Sequence, residues 1–217
     1  MTDARTAGSD LRRTILDRTR HLLVEEGYNN LSMRKIARAV GCSATSIYLH
    51  FENKDALFHA LIDEGMARLN EALRSADDPE ADALARLEAL SRRYLEFGLD
   101  HPEYYEVMFM LHPERMARYP PEKYRRARRN FDLFAAALAQ GTASGYFDVA
   151  DPAVGASVLW TSLHGAVALL IARRVDVRID QPAYVDAVVA HAIAGFRILE
   201  PALPQPEGLA NSAAKAD

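Results

Sequence analysis

Between positions 31 and 58 the chain reads LSMRKIARAVGCSATSIYLHFENKDALF, and its apolar residues recur at helical spacing in two short registers. Met33, Ile36, Ala37 and Val40 share one face behind Ser32, a good N-cap residue, which predicts a short amphipathic helix. Leu31 and Ile36 hold the positions of a hydrophobic staple. Gly41 stands where a helix C-terminus favours a left-handed residue, since glycine has no Cβ to clash. Ser43 can cap a second helix, with Cys42 and Ile47 as its staple and with Ile47 and Phe51 facing inward. The opposite faces stay polar: Arg34, Lys35 and Arg38 on the first helix, Thr45, Ser46 and His50 on the second. Two helices around a tight glycine turn, apolar behind and hydrogen-bonding in front, form a helix-turn-helix, a device that reads duplex DNA.

The rest of the chain keeps the helical period. A helix over 14–26 stops at Gly27, Asn53 can cap a long helix over 54–75, and further helices are predicted at 79–99, after Pro102, from Pro121 to Gly141, at 152–174 and at 182–200. No segment alternates like a strand, so the expected fold is all-α. Residues 1–9 read as a flexible arm, where Arg5 could reach DNA with Arg12 and Arg13 just beyond it, and 201–217 as a disordered tail. The intervening chain divides into a DNA-binding unit at 10–56 and a helical regulatory and dimerisation unit at 57–200.

Residues 14–60 resemble the DNA-binding domain of the TetR family of bacterial regulators. The helix ending at Gly27 is followed by Leu31-Ser32, Ile36-Ala37, Gly41, Ser43, Ile47-Tyr48, Phe51 and Lys54 in the order and spacing of that family. Further on, Trp160, His164 and Gly165 are similar to the Trp…His-Gly signature of a C-terminal subfamily often called WHG. The resemblance implies a homodimer that binds a palindromic operator in double-stranded DNA, most often as a repressor, and is released by a small molecule.

The residues expected at DNA are Ser32, Arg34, Ser43, Ala44, Thr45, Ser46, Tyr48, Leu49, His50 and Lys54. Thr45 and Ser46 can exchange hydrogen bonds with base edges, and Ala44 and Leu49 can touch thymine methyls. The reading helix lacks Arg, Asn and Gln, so Arg34 is the candidate for guanine, with a phosphate contact as its alternative. Tyr48, His50 and Lys54 resemble the family's phosphate-contacting positions. Tyr48 is expected to pack its ring inward and to turn its hydroxyl outward. Lys54 lies in the first turn of its helix, where the dipole also favours an anion. Cys42 reads as a small apolar residue of the turn.

The stretch PEYYEVMFMLH at 102–112 gathers rings and thioethers that can line an adaptable apolar cavity. With its neighbours it supplies the expected effector-binding set: Tyr94, Phe97, Tyr105, Met108, Phe109, His112, Phe131, Phe134, Trp160 and His164. Trp160 and His164 are four apart, on one helix face, and could hold the polar end of a ligand or simply pack the core. The small residues of 152–174 and the apolar face of Val185, Val188, Val189, Ala192, Ile193, Phe196 and Leu199 are the expected dimer surface.

Composition narrows this further. The 217 residues, nearly half of them hydrophobic, can bury a sizeable core without metals or disulfides, and one cysteine suits the reducing cytoplasm. The N-terminus MTDARTAGSD does not read as a secretory leader. The longest apolar runs, such as 165–172, fall short of the about 20 residues of a bilayer span, so no membrane partner is expected. The net charge of −4 looks wrong for a DNA binder. However, residues 1–60 carry nine Lys/Arg against seven Asp/Glu, and the remainder 17 against 23. Such a field matters only locally, within about 8–10 Å in salt. An enzyme finds no support: GTASG at 141–145 lacks the lysine of a phosphate loop, the seven histidines show no metal-ligand spacing, and no nucleophile has a base. No cofactor or metal is expected. A regulator governed by a protein partner or by abundance, with no small effector, is the alternative.

Overall fold

The computed structural model describes residues 3–111 and 120–198. These are helical throughout, apart from one isolated antiparallel bridge between Phe147 and Arg197. The order is α1 (Asp3–Glu26), a 3-10 turn (Tyr28–Asn30), α2 (Met33–Val40), α3 (Ala44–Tyr48), α4 (Lys54–Ala76), α5 (Ala83–Asp100), α6 (Pro102–Tyr105), which runs into a π-helical turn (Glu106–Met110), α7 (Pro121–Ala143), α8 (Pro152–Ile171) and α9 (Gln181–Ala194).

Most starts follow local chemistry. Side chains of Ser32, Ser43, Asn53, Asp82, Asp151 and Asp180 each accept a backbone N–H of the first turn they precede. Each such cap contributes about 1 kcal/mol. The first helix differs from expectation: it begins at Asp3, so residues 3–9 continue α1 instead of forming a loose arm. The fifth helix starts at Ala83, where Asp82 caps it, instead of at 79. The ninth stops at Ala194, because the chain then turns so that the Asp148 N–H can bond the Phe196 carbonyl at 2.8 Å. The tail at 201–217 lies outside the described residues.

Two apolar cores result. The head core joins Ile15, Leu16 and Leu23 of α1 to Met33, Ile36, Ile47, Phe51, Leu57, Phe58 and Leu61. The body core joins Leu69 and Leu73 to Leu87, Leu90, Tyr94, Phe134, Leu138, Leu159, Leu163 and Val167. The α4 helix serves both, its first half in the head and its second in the body, over a length of roughly 35 Å. A second link is the α6–π segment, whose Tyr105 is buried in the body core while Val107 is buried in the head core. It lies tightly against α4 and α5: a Cβ at Gly65 would overlap Met108, and one at Gly98 would crowd the Tyr105 ring. A π turn carries an extra residue per turn and is found mostly where a helix serves a function.

One expectation drawn from contiguous apolar runs needs revision. The α8 helix is long and apolar enough to cross a membrane by length and composition alone, with mean hydropathy 1.7 over its window. Here it packs on α5, α7 and α9, burying Gly155, Ala156, Leu159, Leu163, Ala166 and Val167.

Candidate functional site

The turn between α2 and α3 forms as its residues dictate. Gly41 takes the left-handed conformation, φ 79° and ψ 29°, and its N–H returns to the Ala37 carbonyl at 3.0 Å. The Cys42 N–H reaches the same carbonyl at 3.0 Å, closing the helix end. Cys42 is half-buried against the head core, as a small apolar turn residue would be. Ile47 is fully buried and pins α3 to the head, which leaves the other side of α3 outward.

On that outer side Ser32, Arg34, Ser43, Thr45, Tyr48 and Leu49 are exposed, and Ala44, Ser46 and His50 are half-buried. Leu49 is 80% exposed and Tyr48 54%, large apolar surfaces that no neighbouring element covers. The Tyr48 ring therefore faces outward, contrary to the expected inward packing, because buried Ile47 already occupies the space behind α3. The Ser43 and Ser46 hydroxyls are 2.8 Å apart, so part of their hydrogen-bonding capacity is spent on the cap. Arg34 and Arg38 are exposed beside them on α2.

Lys54 is placed differently from expectation. Its ammonium donates to the carbonyls of Tyr28 (2.9 Å) and Leu31 (3.1 Å) and sits 3.7 Å from the Tyr28 ring centroid. Burial pulls its pKa below the ordinary lysine value, against the opposing pull of Asp55. Two of its three N–H groups thus tie α4 to the loop after α1. Tyr28, missed in the sequence, anchors this junction: its hydroxyl bonds the Asp55 carboxylate and its ring meets Phe58 edge-on at 4.7 Å. An aromatic just past a helix-ending glycine was the available signal.

The residues expected to bind an effector separate into three groups. Tyr94, Phe109, Phe131, Phe134 and Trp160 line one cavity, together with Met66, Leu69, Leu73 and Asn130. It is small, about 10 Å³, scarcely room for one water. Phe97 is buried elsewhere, its ring 5.1 Å from His101, and Met108 packs against α4 at Gly65. His112 lies outside the described residues. Tyr105 and His164 form the third group, a hydrogen-bonded chain beside the cavity.

That chain runs from Trp160 Nε1 to Tyr94 Oη (2.8 Å), on to Tyr105 Oη (2.9 Å) and then to His164 Nδ1 (2.6 Å). Its direction follows from proton counting. The indole can only donate, so Tyr94 accepts from it and passes its own proton to Tyr105, which donates to His164. The reverse sense would leave the Tyr94 hydroxyl proton buried without an acceptor, at a cost of about 1–3 kcal/mol. His164 is therefore the neutral tautomer with its proton on Nε2. Burial lowers its pKa below the usual imidazole value and raises those of both tyrosines, which favours the same uncharged arrangement. The His164 ring stacks on Trp160 at 4.8 Å and on Tyr105 at 5.5 Å. Of the two alternatives for Trp160, its N–H is used inside the protein, in the core.

Next to this chain, the α6–π segment is tied to the head. Glu103 accepts from Arg20 Nε (3.0 Å) and lies 2.7 Å from His21 Nδ1, both on α1. The Tyr104 hydroxyl donates to Glu64 at 2.7 Å under the Arg20 guanidinium, 4.2 Å from its ring centroid.

With this geometry the comparisons agree. The family model described as bacterial regulatory proteins of the tetR family matches residues 15–61, and that for the tetracyclin repressor-like C-terminal domain matches 87–196, half the chain. The chain belongs to the TetR family. An HTH-type transcriptional repressor of Mycobacterium tuberculosis is 43% identical over 58 residues, 27% of this chain and 31% of that protein. Across the first curated relatives the match spans 28% to 52% of their length. A Rhodococcus protein of unknown function shares the fold over 87% of this chain and 96% of its own, with 28% identity and TM-score 0.73. The fatty acid degradation regulator FadR of Bacillus halodurans does so over 85% and 99%, with 22% identity and TM-score 0.71. This TetR-family member carries a helix-turn-helix head of the kind found in transcriptional regulators.

Proposed function

We propose that this regulator is a homodimeric repressor that leaves a palindromic operator when a small, largely apolar effector enters the cavity of its body. The observation that carries this reading is the α6–π segment. One side of it, Tyr105 and Phe109, abuts the chain of hydrogen bonds and the cavity, while Val107 is built into the head core. An occupant that displaces Phe109 must move the segment, and the segment cannot move without disturbing the head. The ligand shifts the equilibrium only by its unequal affinity for the two arrangements.

Dimerisation is supported by α8, which presents Ala153, Val154, Ser157, Val158 and Thr161 to solvent, with Val154 59% and Val158 55% exposed. A face of small and branched apolar residues left in solvent suits a second copy of the chain. Ser32, Arg34, Ser43, Ala44, Thr45, Ser46, Tyr48, Leu49 and His50 would meet DNA, Arg34 at a base and Tyr48 at phosphate. Lys54 would act chiefly by holding α4 to the loop, with its remaining N–H toward phosphate. We read the protein as a cytoplasmic regulator without catalytic activity.

The test captures bound fragments of the source genome and measures their gel shift against random duplex, alongside light scattering of the free protein. A dimer preferring a palindromic fragment supports the reading. A monomer, or equal affinity for all duplexes at low salt, defeats it.

A further inference from the structure

We infer that the effector is an amphipathic anion, with an apolar tail seated among the rings of the inner cavity and a carboxylate or phosphate head held at Arg129 on α7. This rests on the effector reading above and adds the chemical class of the ligand.

Two cavities meet at one residue. Beside the small apolar cavity lies a larger cleft between α4 and α7, about 160 Å³, lined by Asp63, Met66, Ala67, Asn70, Lys123, Ala127 and Arg129. Met66 lines both spaces, so its flexible side chain is the partition between them. Asn130 holds that partition: its amide donates to the Met66 carbonyl at 3.3 Å and lies 3.8 Å from the thioether sulfur. The Asn130 carbonyl accepts from Asn70 at 2.8 Å, which links the inner wall to the outer one. Asn130 is 4% exposed, so this polar pair is built into the wall.

The two compartments differ in chemistry. The inner one is made of rings and aliphatic groups and offers an occupant little hydrogen bonding beyond the Asn130 amide. The outer one is basic. Among the described residues that line the cleft, Lys123 pairs with Asp63 at 2.6 Å, and Arg129 adds a further positive charge. Arg125, one turn earlier on α7, is exposed on the same side. Residues 120–130 carry five Lys/Arg and one Asp/Glu in a chain whose net charge is −4. A basic stretch alone is usually a solvated face. Here it borders an opening whose far wall is a movable methionine with an apolar cavity behind it. A neutral apolar molecule would use only the inner compartment, a free inorganic anion only the outer, and an amphipathic anion both.

Trp160 is the single tryptophan and lines the inner cavity, so its emission reports tail entry. Decanoate, decyl phosphate, decanol and inorganic phosphate are titrated into the full-length protein below micelle-forming concentrations. The two anionic amphiphiles should shift Trp160 emission and bind at least about tenfold more tightly than decanol, with inorganic phosphate leaving the emission unmoved. Arg129→Ala and Arg125→Ala should weaken the anions about tenfold and leave decanol unchanged, with circular dichroism confirming that these surface variants fold. A head-group preference between decanoate and decyl phosphate identifies which anion the cleft fits. Equal binding of decanol, anion affinity indifferent to both arginines, or unchanged Trp160 emission with every probe would overturn the inference. An anion that moves Trp160 without releasing operator DNA sustains this site and defeats the release step. Release by decanol alone does the reverse.

Discussion

The head and the body of this regulator are specified by different kinds of contact. In the head nearly every structural decision is local. Ser32, Ser43 and Asn53 bond amides three residues on, and Gly41 closes a helix on its own preceding turn. In the body the decisive contacts join residues far apart in sequence: Trp160 with Tyr94, Tyr105 with His164, Asn70 with Asn130. A surface that must present side chains in a fixed frame to DNA is served by short-range geometry. The body's cavity is framed by long-range contacts, the kind that the proposed entry of an effector would exchange.

The strongest way to break this comparison is to damage one side and watch the other. Ile47 is fully buried in the head core, and Ile47→Ala should cost about 2–5 kcal/mol locally. Operator binding should be lost, while light scattering still reports the dimer and Trp160 emission is unchanged. If the dimer dissociates as well, head and body are one cooperative unit and the contrast fails.

How much could be read in advance follows the same division. The head's helices, caps and turn glycine were legible because each is written within about four residues. What escaped there was Lys54, whose inward turn depends on carbonyls of residues 28 and 31, and the outward ring of Tyr48. The extension of α1 back to Asp3 also escaped, since its first turns lack the apolar face on which periodicity relies. In the body, helix count and aromatic clustering were visible, but which rings share a cavity was not. Phe97 and Phe131 look alike in sequence, yet only Phe131 faces Trp160, at 5.3 Å. Met66 and Asn130 carry no local mark at all, because their role exists only once α4 and α7 are packed.

The body's chain of hydrogen bonds can be cut at its centre. Tyr105→Phe removes the acceptor of Tyr94 and the donor to His164 together, and should destabilise by about 1–3 kcal/mol in urea unfolding. The matching Tyr94→Phe and the double variant close a thermodynamic cycle. Additive losses would mean that the hydroxyls act independently and that no directed chain exists. Operator affinity without ligand should change far less than stability.

The head can be probed by one arginine. Arg34→Ala should remove roughly 1–3 kcal/mol of discrimination at one operator position if the guanidinium meets a guanine. Quantitative gel shifts on single-base variants of a captured operator check this. A loss shared equally by all variants reassigns Arg34 to the phosphate backbone and leaves α3 alone to read bases.

The smallest effect concerns pH and separates a fixed tautomer from a merely packed ring. Burial depresses the folded-state pKa of His164 below the ordinary imidazole value of 6.5. Above that value His164 is neutral in both states and its contribution to stability is fully present. As pH falls below it the unfolded chain takes up a proton that the folded protein refuses, so stability declines until pH passes the depressed folded value. Protonation would also place a hydrogen on Nδ1, facing the Tyr105 hydroxyl that now donates to it, and would force the chain to reverse. His164→Gln keeps an acceptor and does not titrate. Its melting temperature should therefore fall less than that of the unaltered protein between pH 7 and pH 5, a difference that cancels the carboxylates common to both. Parallel curves would show that Nδ1 is not held as an acceptor, and the directed chain through Tyr94 and Tyr105 would lose its end point.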